Sequence, residues 1–125
     1  ECKLDIFVYA DYALLTEALI NLIENAIKYG NPNTDICINV YEKKKHLFIN
    51  VENIGNPIPK KHHKRIFQRF YRIDKSRDRK AGGTGLGLAI VKHIIIVHGG
   101  DISVFSDNGK NCFSIKIPIA KNFDI

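Results

Sequence analysis

The chain has 125 residues, of which 45% are hydrophobic, so it can bury the core of one ordinary domain. No apolar run approaches the roughly 18 residues of a membrane span, and three widely spaced cysteines without a CxxC pair argue against a disulfide framework or a zinc site. The net charge of +6 is local, because residues 60–80 carry ten basic and two acidic side chains, which favours one anionic ligand or docking face over a generally cationic protein.

The first predicted elements are a strand, Cys2–Tyr9, and a long amphipathic helix, Asp11–Tyr29, in which Asp11 is a suitable N-cap and Gly30 lies in the closing turn. Opposite the apolar face of this helix runs a narrow polar stripe formed by Glu17, Asn21, Asn25 and Lys28. Asparagine is a poor helix former, so two of them one turn apart cost stability without contributing packing. We therefore expect a ligand to use these amides.

Alternating apolar residues predict a β-hairpin from Asp35–Glu42 and His46–Glu52, with the lysine run 43–45 as its solvated tip. The following loop, Asn53–Pro59, contains two prolines and a glycine, which leave few regular conformations. A short helix is predicted over His62–Tyr71. The charged stretch Asp74–Ala81 has no apolar periodicity, and we expect it to be mobile.

The glycine-rich segment Gly82–Leu88 opens a second predicted helix, Gly85–His98, although its β-branched run Ile94–Val97 would also suit a strand. Asp101–Ser106 and Asn111–Pro118 form a closing hairpin, and residues 121–125 form a tail. Two long helices with about five strands indicate an α+β sandwich whose helices cover one face of the sheet. Because the first residue is not Met, we expect a single-domain fragment of a longer protein.

A glycine-rich loop that runs into a helix N-terminus suits anions, because unpaired backbone N–H groups and the helix dipole point at the same place. By itself this signal is weak, since a flexible linker has the same composition. No Gly-Lys-Ser/Thr follows, which excludes a Walker A loop, and residues 76–81 do not form the strand that a dinucleotide fingerprint requires. Two other features strengthen the hypothesis of an anion site at this loop. The asparagine stripe could hold Mg²⁺ through an amide oxygen, and Lys28 could contact phosphate oxygens.

Four motifs resemble, in order and spacing, the N, G1, F and G2 boxes of the ATP-binding catalytic domain of bacterial sensor histidine kinases: Asn21–Tyr29, Asn53–Gly55, Ile66–Arg72 and Gly83–Leu88. The resemblance covers nearly the whole chain. It implies that residues 1–125 form the two-layer, Bergerat-type α/β sandwich shared with gyrase, Hsp90 and MutL. Such a fold has a mixed, mostly antiparallel sheet of about five strands, about three helices on one face, and a mobile ATP lid, here at about residues 60–84.

The resemblance also implies a role for each matching residue. The adenine would be bound by Tyr29, which flanks it, by Asn53, which accepts from its amino group, and by Gly55 and Ile58. Magnesium would be coordinated by Asn25, with Asn21 beside it, and the phosphates would be contacted by Lys28 and Arg72. The triphosphate site would be shaped by Gly83, Thr84, Gly85, Leu86, Gly87 and Leu88. The lid would be anchored by Phe67, Phe70 and Tyr71, although ordinary core packing explains these aromatic residues equally well.

Two residues depart from the family pattern. Asn53 stands where the family most often has Asp; its Oδ1 can still accept from an adenine amino group, but the negative charge is lost, so we expect base selection to survive with weaker binding. Pro57 stands where a second glycine is common, which stiffens the loop. None of the five histidines has the His-Glu/Asp context of the family's phosphoacceptor. We expect surface or packing roles for His46, His62, His63, His93 and His98, and an acceptor helix pair that precedes Glu1 in the parent protein.

The implied function is that of a protein histidine kinase domain in two-component signalling. It would bind ATP and Mg²⁺ and supply the γ-phosphate to a histidine on its own dimerisation domain, with a response regulator as an indirect partner. Alone it should bind ATP but lack autokinase activity. The domain is expected to be cytoplasmic, with its parent in the bacterial cell membrane and membrane contact only through the missing parts.

Two alternatives remain open at this point. One is a related ATPase or serine kinase of the same superfamily, in which Glu17 or Glu24 would activate water or a hydroxyl group. The other is a nucleic-acid-binding module that uses the basic segment 60–80, whose aromatic residues within Phe67–Arg72 could stack on bases. We do not expect a nucleic acid partner, because the four linked motifs point to ATP.

Overall fold

The computed structural model describes residues 8–73 and 85–120, which form a two-layer α+β sandwich. The elements are helix α1 (Tyr12–Tyr29), strands β1 (Cys37–Lys43) and β2 (His46–Ile54), 3₁₀ helices Lys60–His62 and Arg65–Phe67, helix α2 (Gly87–Val97), and strands β3 (Asp101–Asp107) and β4 (Lys110–Pro118). The α+β class and the two hairpins are therefore confirmed. No helix in this part of the chain is both long and apolar enough to cross a membrane.

The four described strands form one sheet in the order β1-β2-β4-β3, and each neighbouring pair is antiparallel. From His46 to Asn53, residues on β2 alternate between half-buried and buried positions, as expected for a strand with one face on the core. Register joins the buried rows across strands: Val51 lies opposite Phe113, and Ile115 lies between Ile49 and Ile102. The helices cover this apolar face.

Helix α1 begins as its sequence predicts. The Asp11 carboxylate accepts a hydrogen bond from the backbone N–H of Leu14 at 3.0 Å, which caps the first turn. Ala18, Leu22 and Ala26, at helical spacing, are fully buried against the sheet and α2. Because the alanine side chains are small, α1 lies close to the sheet and to α2. The polar stripe of α1 therefore lies beside α2.

The β-branched run in α2 is helical, as predicted, because Val91, Ile94 and Ile95 fall on the buried face. Tertiary burial outweighs the weak helix propensity of isoleucine and valine here. Gly99 ends the helix with φ +76°. His98 joins the two helices, since its Nε2 accepts from the Asp11 N–H at 2.9 Å while its Nδ1 donates to Ile94 O at 2.7 Å.

The helix predicted over His62–Tyr71 is wrong: two 3₁₀ helices take its place. Gln68 is extended and Phe70 has φ +64°, so the chain leaves the helical conformation there. The cause is a tertiary contact, because this path brings the Phe70 N–H to Gly85 O at 2.8 Å. A helix of only about ten residues is marginally stable by itself, so its local propensity is too weak to oppose such a contact.

Some predicted elements fall on residues outside the described ranges. The predicted first strand lies mostly there, and its two described residues, Val8 and Tyr9, are not in a strand. The stretch Asp74–Ala81 and the tail 121–125 also lie outside. The described sheet therefore contains four of the roughly five strands expected.

Candidate functional site

The C-terminal end of α1 lies directly against the loop that follows β2. The Asn31 N–H donates to Ile54 O at 2.7 Å. A Cβ added to Gly55 would lie 2.8 Å from Tyr29 O and 3.5 Å from the Cα of Gly30, closer to the Tyr29 oxygen than real Cβ atoms approach. Glycine at position 55 thus permits a backbone approach that any side chain would block.

Asn53 is buried beside this junction, with only 4% of its surface exposed. A Cβ on Gly30 or Gly55 would come within 3.4 Å or 3.3 Å of its Nδ2, so Nδ2 is the amide atom that faces the two glycines. A buried amide in a row of apolar side chains costs free energy unless its polar atoms are used. The predicted base-binding residues Tyr29, Asn53 and Gly55 are therefore brought together by the fold.

The loop after Gly55 is held by side chains for which the sequence predicts no role in the site. The Ile58 N–H donates to Ser106 Oγ at 3.0 Å and to Asn111 Oδ1 at 3.3 Å, and Asn111 Nδ2 donates to Asn56 O at 2.9 Å. His63 Nε2 donates to Ile58 O at 2.7 Å. A signal was present in the sequence, because Asn111 is the one polar residue in the otherwise apolar row 111, 113, 115 and 117 of β4.

The polar stripe of α1 lies beside the N-terminus of α2. Asn21 donates from Nδ2 to Glu17 O at 3.0 Å, and a Cβ added to Gly87 would lie 3.3 Å from Asn21 Oδ1. Asn25 is half-buried one turn further along α1. The stripe therefore runs from Gly87 at one end to Tyr29 and Asn53 at the other, over about 12 Å for the eight helical steps from Asn21 to Tyr29.

The N-terminus of α2 receives no cap from the side chain of its own N-cap residue. Its N-cap residue is Leu86, which offers no side-chain oxygen to the N–H groups of the first turn. Lys28, in the last turn of α1, is exposed, and Leu88 packs against the core. The backbone at the start of α2 thus lies beside the Asn21 amide, and Asn25 and Lys28 follow on the next turns of α1. This set of donors and acceptors suits phosphate oxygens and a hard cation.

The segment Gln68–Arg72 is tied to the glycine-rich loop through backbone atoms. Gly85 has φ +77°, its carbonyl accepts from the Phe70 N–H, and a Cβ on Gly85 would lie 2.8 Å from the Phe70 Cα. The Phe70 ring itself is 68% exposed, whereas the half-buried Tyr71 hydrogen-bonds through its hydroxyl to His62 Nδ1. Glycine is therefore required at position 85 for two reasons: the backbone is left-handed there, and a side chain would collide with the backbone of Phe70.

Phe67 has a different role from Phe70. It is buried in the core and packs edge-to-face on Phe113, with a ring-centroid distance of 6.3 Å. Lys92 Nζ lies 5.4 Å from the Phe67 ring centroid and 3.6 Å from an Asp101 carboxylate oxygen. Core packing thus accounts for Phe67, while the half-buried Arg72 lies at the edge of the described segment and Gly83 and Thr84 lie outside it.

Comparisons with known proteins agree with this geometry. The family described as histidine kinase-, DNA gyrase B-, and HSP90-like ATPase matches residues 10–121. The sensor histidine kinase WalK of Bacillus subtilis is 46% identical over 108 residues, which are 85% of this chain and 18% of that protein. The chain spans less than a third of the length of the curated relatives it matches.

Solved structures give the same result. The catalytic domain of histidine kinase ThkA is similar with a TM-score of 0.76 and 34% identity, over 89% of this chain and 70% of that one. ThkA has also been solved in complex with the response regulator protein TrrA. Full-length ShkA, solved in complex with AMPPNP, has a TM-score of 0.79 and 25% identity, over 94% of this chain and 24% of that one.

Proposed function

Because this chain belongs to the histidine kinase-, DNA gyrase B-, and HSP90-like ATPase family, as a catalytic ATP-binding domain of a bacterial histidine kinase, we propose that it binds Mg²⁺–ATP and supplies the γ-phosphate to a histidine on an adjoining dimerisation domain. One observation carries the proposal. The polar stripe of α1 connects the N-terminus of α2, whose N-cap residue Leu86 has no side-chain oxygen, to a buried amide, Asn53, at its other end. A nucleotide has anionic phosphates, which suit the helix N-terminus, and a polar base, which suits the Asn53 amide.

At the base end, Asn53 accepts a hydrogen bond from the adenine amino group through Oδ1. This role fits the structure, since Nδ2 is the atom that faces Gly30 and Gly55. Tyr29 flanks the base, and Gly55 and Ile58 line its pocket. A site built to hydrogen-bond one group rejects bases that lack it, because the buried amide is then left unpaired.

At the phosphate end, the backbone N–H groups around Gly85, Leu86 and Gly87 donate to phosphate oxygens, together with Lys28 and Arg72. The spacing supports this role, because glycine at position 87 keeps clear the space next to Asn21 Oδ1. Gly83 and Thr84 complete the same loop in the proposal, and Leu88 anchors the start of α2. Asn25, with Asn21 beside it, holds Mg²⁺, which when bound neutralises phosphate charge.

The chain's own groups contribute positioning and charge neutralisation. Among the described residues, His62, His63 and His98 are engaged in hydrogen bonds within the fold, consistent with their predicted packing roles. In the proposal the nucleophile comes from another domain, because none of the five histidines has the sequence context of a phosphoacceptor. The contribution of this chain is to hold the triphosphate in the geometry for in-line attack. The response regulator would receive the phosphoryl group in a later step, an assignment supported by the complex of ThkA with TrrA.

The alternatives receive less support. Glu17 and Glu24 are exposed, and the named relatives are sensor kinases, which does not favour an ATPase or serine kinase that depends on either carboxylate. The aromatic residues required for a nucleic-acid module are only partly available, since Phe67 is buried in the core. The basic side chains near the lid are better explained by phosphate contact and solvation.

Phosphotransfer with γ-labelled ATP tests the proposal. The chain alone should bind ATP without labelling itself, and label should appear on the histidine-bearing domain of its parent kinase when that domain is added. The Asn25→Ala variant should abolish this transfer. Robust labelling of the chain by itself, or transfer that is unaffected in the variant, would contradict the assignment.

A further inference from the structure

We propose that Asn111, Ser106 and His63 are positioning residues that hold Ile58, and with it the base side of the pocket, in the conformation that accepts adenine. The inference rests on the proposed function, because Ile58 matters only if this loop lines a nucleotide site. The three side chains come from β4, β3 and the turn after the first 3₁₀ helix. We call them the Ile58 clamp.

The clamp fixes both polar groups of one residue's backbone. The Ile58 N–H lies 3.0 Å from Ser106 Oγ and 3.3 Å from Asn111 Oδ1, and the Ile58 carbonyl accepts from His63 Nε2 at 2.7 Å. Loop backbone is usually satisfied by water. Here, three side chains bind the backbone of a single residue, and two of them come from β3 and β4, about 50 residues further along the chain, so the position of Ile58 is tightly defined.

Asn111 is the centre of the clamp. It is 4% exposed, its Oδ1 accepts from both Ser106 and Ile58, and its Nδ2 donates to Asn56 O. Burial of an amide costs free energy that these bonds only offset, so an apolar residue would serve the core at least as well. The contribution of the amide is to fix the conformation of the loop that contains Asn56 and Ile58.

Strand register connects the clamp to the base-binding residue. Asn53 lies opposite Asn111 in the β2–β4 pair, and Asn111 lies opposite Ser106 in the β3–β4 pair. The three form one polar row across the end of the sheet, below otherwise apolar rows. A shift of the loop therefore changes the position of Ile58 relative to Asn53, the two groups that would face the base from separate segments.

The expected energetic effect is preorganisation. Residues 55–59 contain no helix or strand, and without the clamp they would populate other conformations in the free protein. Apparent affinity falls in proportion to the population that is competent to bind. If loss of Asn111 leaves about a tenth of molecules in the clamped conformation, the Kd rises about tenfold.

Calorimetric titration with two probes tests this inference: a non-hydrolysable ATP analogue, and tripolyphosphate with Mg²⁺, which has no base. In Asn111→Ala, Kd for the analogue should rise about tenfold while Kd for tripolyphosphate stays within twofold. Ser106→Ala should raise the analogue Kd about threefold, and Ser106→Thr, which keeps the hydroxyl, should restore it. Ser103→Ala, on the exposed face of the same strand, is the matched control and should change neither Kd.

The result that overturns the inference is wild-type affinity for the analogue in both Asn111→Ala and Ser106→Ala. Equal weakening of both probes would also overturn it, since that pattern indicates general loss of folding. If Asn111→Ala does not fold, the comparison of Ser106→Ala with Ser106→Thr tests the inference by itself. Failure of the unmodified chain to bind either probe would instead refute the proposed function, and this inference with it.

Discussion

Replacement of Gly85 by alanine should weaken nucleotide binding far more than its conformational cost alone explains. Gly85 has φ +77°, and its carbonyl accepts from the Phe70 N–H at 2.8 Å. Gly99 has nearly the same conformation, φ +76°, at the other end of α2, where an added Cβ would meet only Pro118 Cγ at 3.7 Å. Gly99→Ala is therefore a matched control for backbone strain.

The two substitutions should differ in their cost because the added Cβ meets different atoms at Gly85 and Gly99. An alanine with left-handed backbone costs roughly 1–2 kcal/mol at either position. At Gly85 the Cβ would also lie 2.8 Å from the Cα of Phe70, and backbone cannot yield as the end of a flexible side chain can. Loss of the hydrogen bond between Phe70 and Gly85 adds about 0.5–1.5 kcal/mol. A surplus of about 1.4 kcal/mol that falls on the bound conformation corresponds to a tenfold rise in Kd.

Urea denaturation and calorimetric titration of both variants separate the two effects. Gly99→Ala should lose about 1–2 kcal/mol of unfolding free energy and keep its nucleotide Kd within twofold. Gly85→Ala should show a Kd at least tenfold above that of the unmodified chain. Equal Kd values in the two variants would refute the reasoning, because the contact with Phe70 would then have no part in the site.

Three further predictions concern other parts of the molecule. Asn53→Ala should raise the Kd for an ATP analogue about tenfold and reduce discrimination against the inosine analogue, as measured by competition titration. Unchanged discrimination would exclude Asn53 from base recognition. Burial, with smaller contributions from Glu52 and Cys37, raises the pKa of Cys112 to about 11, so maleimide at pH 8 should modify the exposed Cys37 and spare Cys112. The folded state then holds this proton more tightly than the unfolded state, so stability should fall as pH rises from about 9 to 11, by at most about 2–3 kcal/mol, and Cys112→Ala should remove that slope in urea titrations. His98→Ala should lower the unfolding free energy by about 1–2 kcal/mol without changing nucleotide Kd, since it joins α1 to α2 away from the site; a large change in Kd would show that the helix junction controls the pocket.

Local signals in the sequence predicted the main elements. The period of apolar residues predicts α1 and α2, and the spacing within the β-branched run Ile94–Val97 predicts a helix that the structure confirms. The hairpins followed from alternation and turn residues. These features depend on neighbours within a few positions, which a single sequence contains.

Contacts between distant segments could not be predicted in this way. The path of Gln68–Phe70 is set by the carbonyl of Gly85, so local propensity gave a helix where the chain turns. Asn111 and Ser106 meet Ile58 only because β3 and β4 pair in one register. The motifs predicted which residues surround the site, whereas the side chains that hold its loop became evident only from the fold.

The most direct test of the central claim is calorimetric titration of the chain with a non-hydrolysable ATP analogue, with and without Mg²⁺, alongside Asn25→Ala. We expect saturable binding with Kd between about micromolar and millimolar, or about 8 to 4 kcal/mol of binding free energy. Binding should weaken when Mg²⁺ is removed, and Asn25→Ala should lose most of that Mg²⁺ dependence. A folded chain that does not bind the analogue, or an Asn25→Ala variant with unchanged Mg²⁺ dependence, would contradict the account.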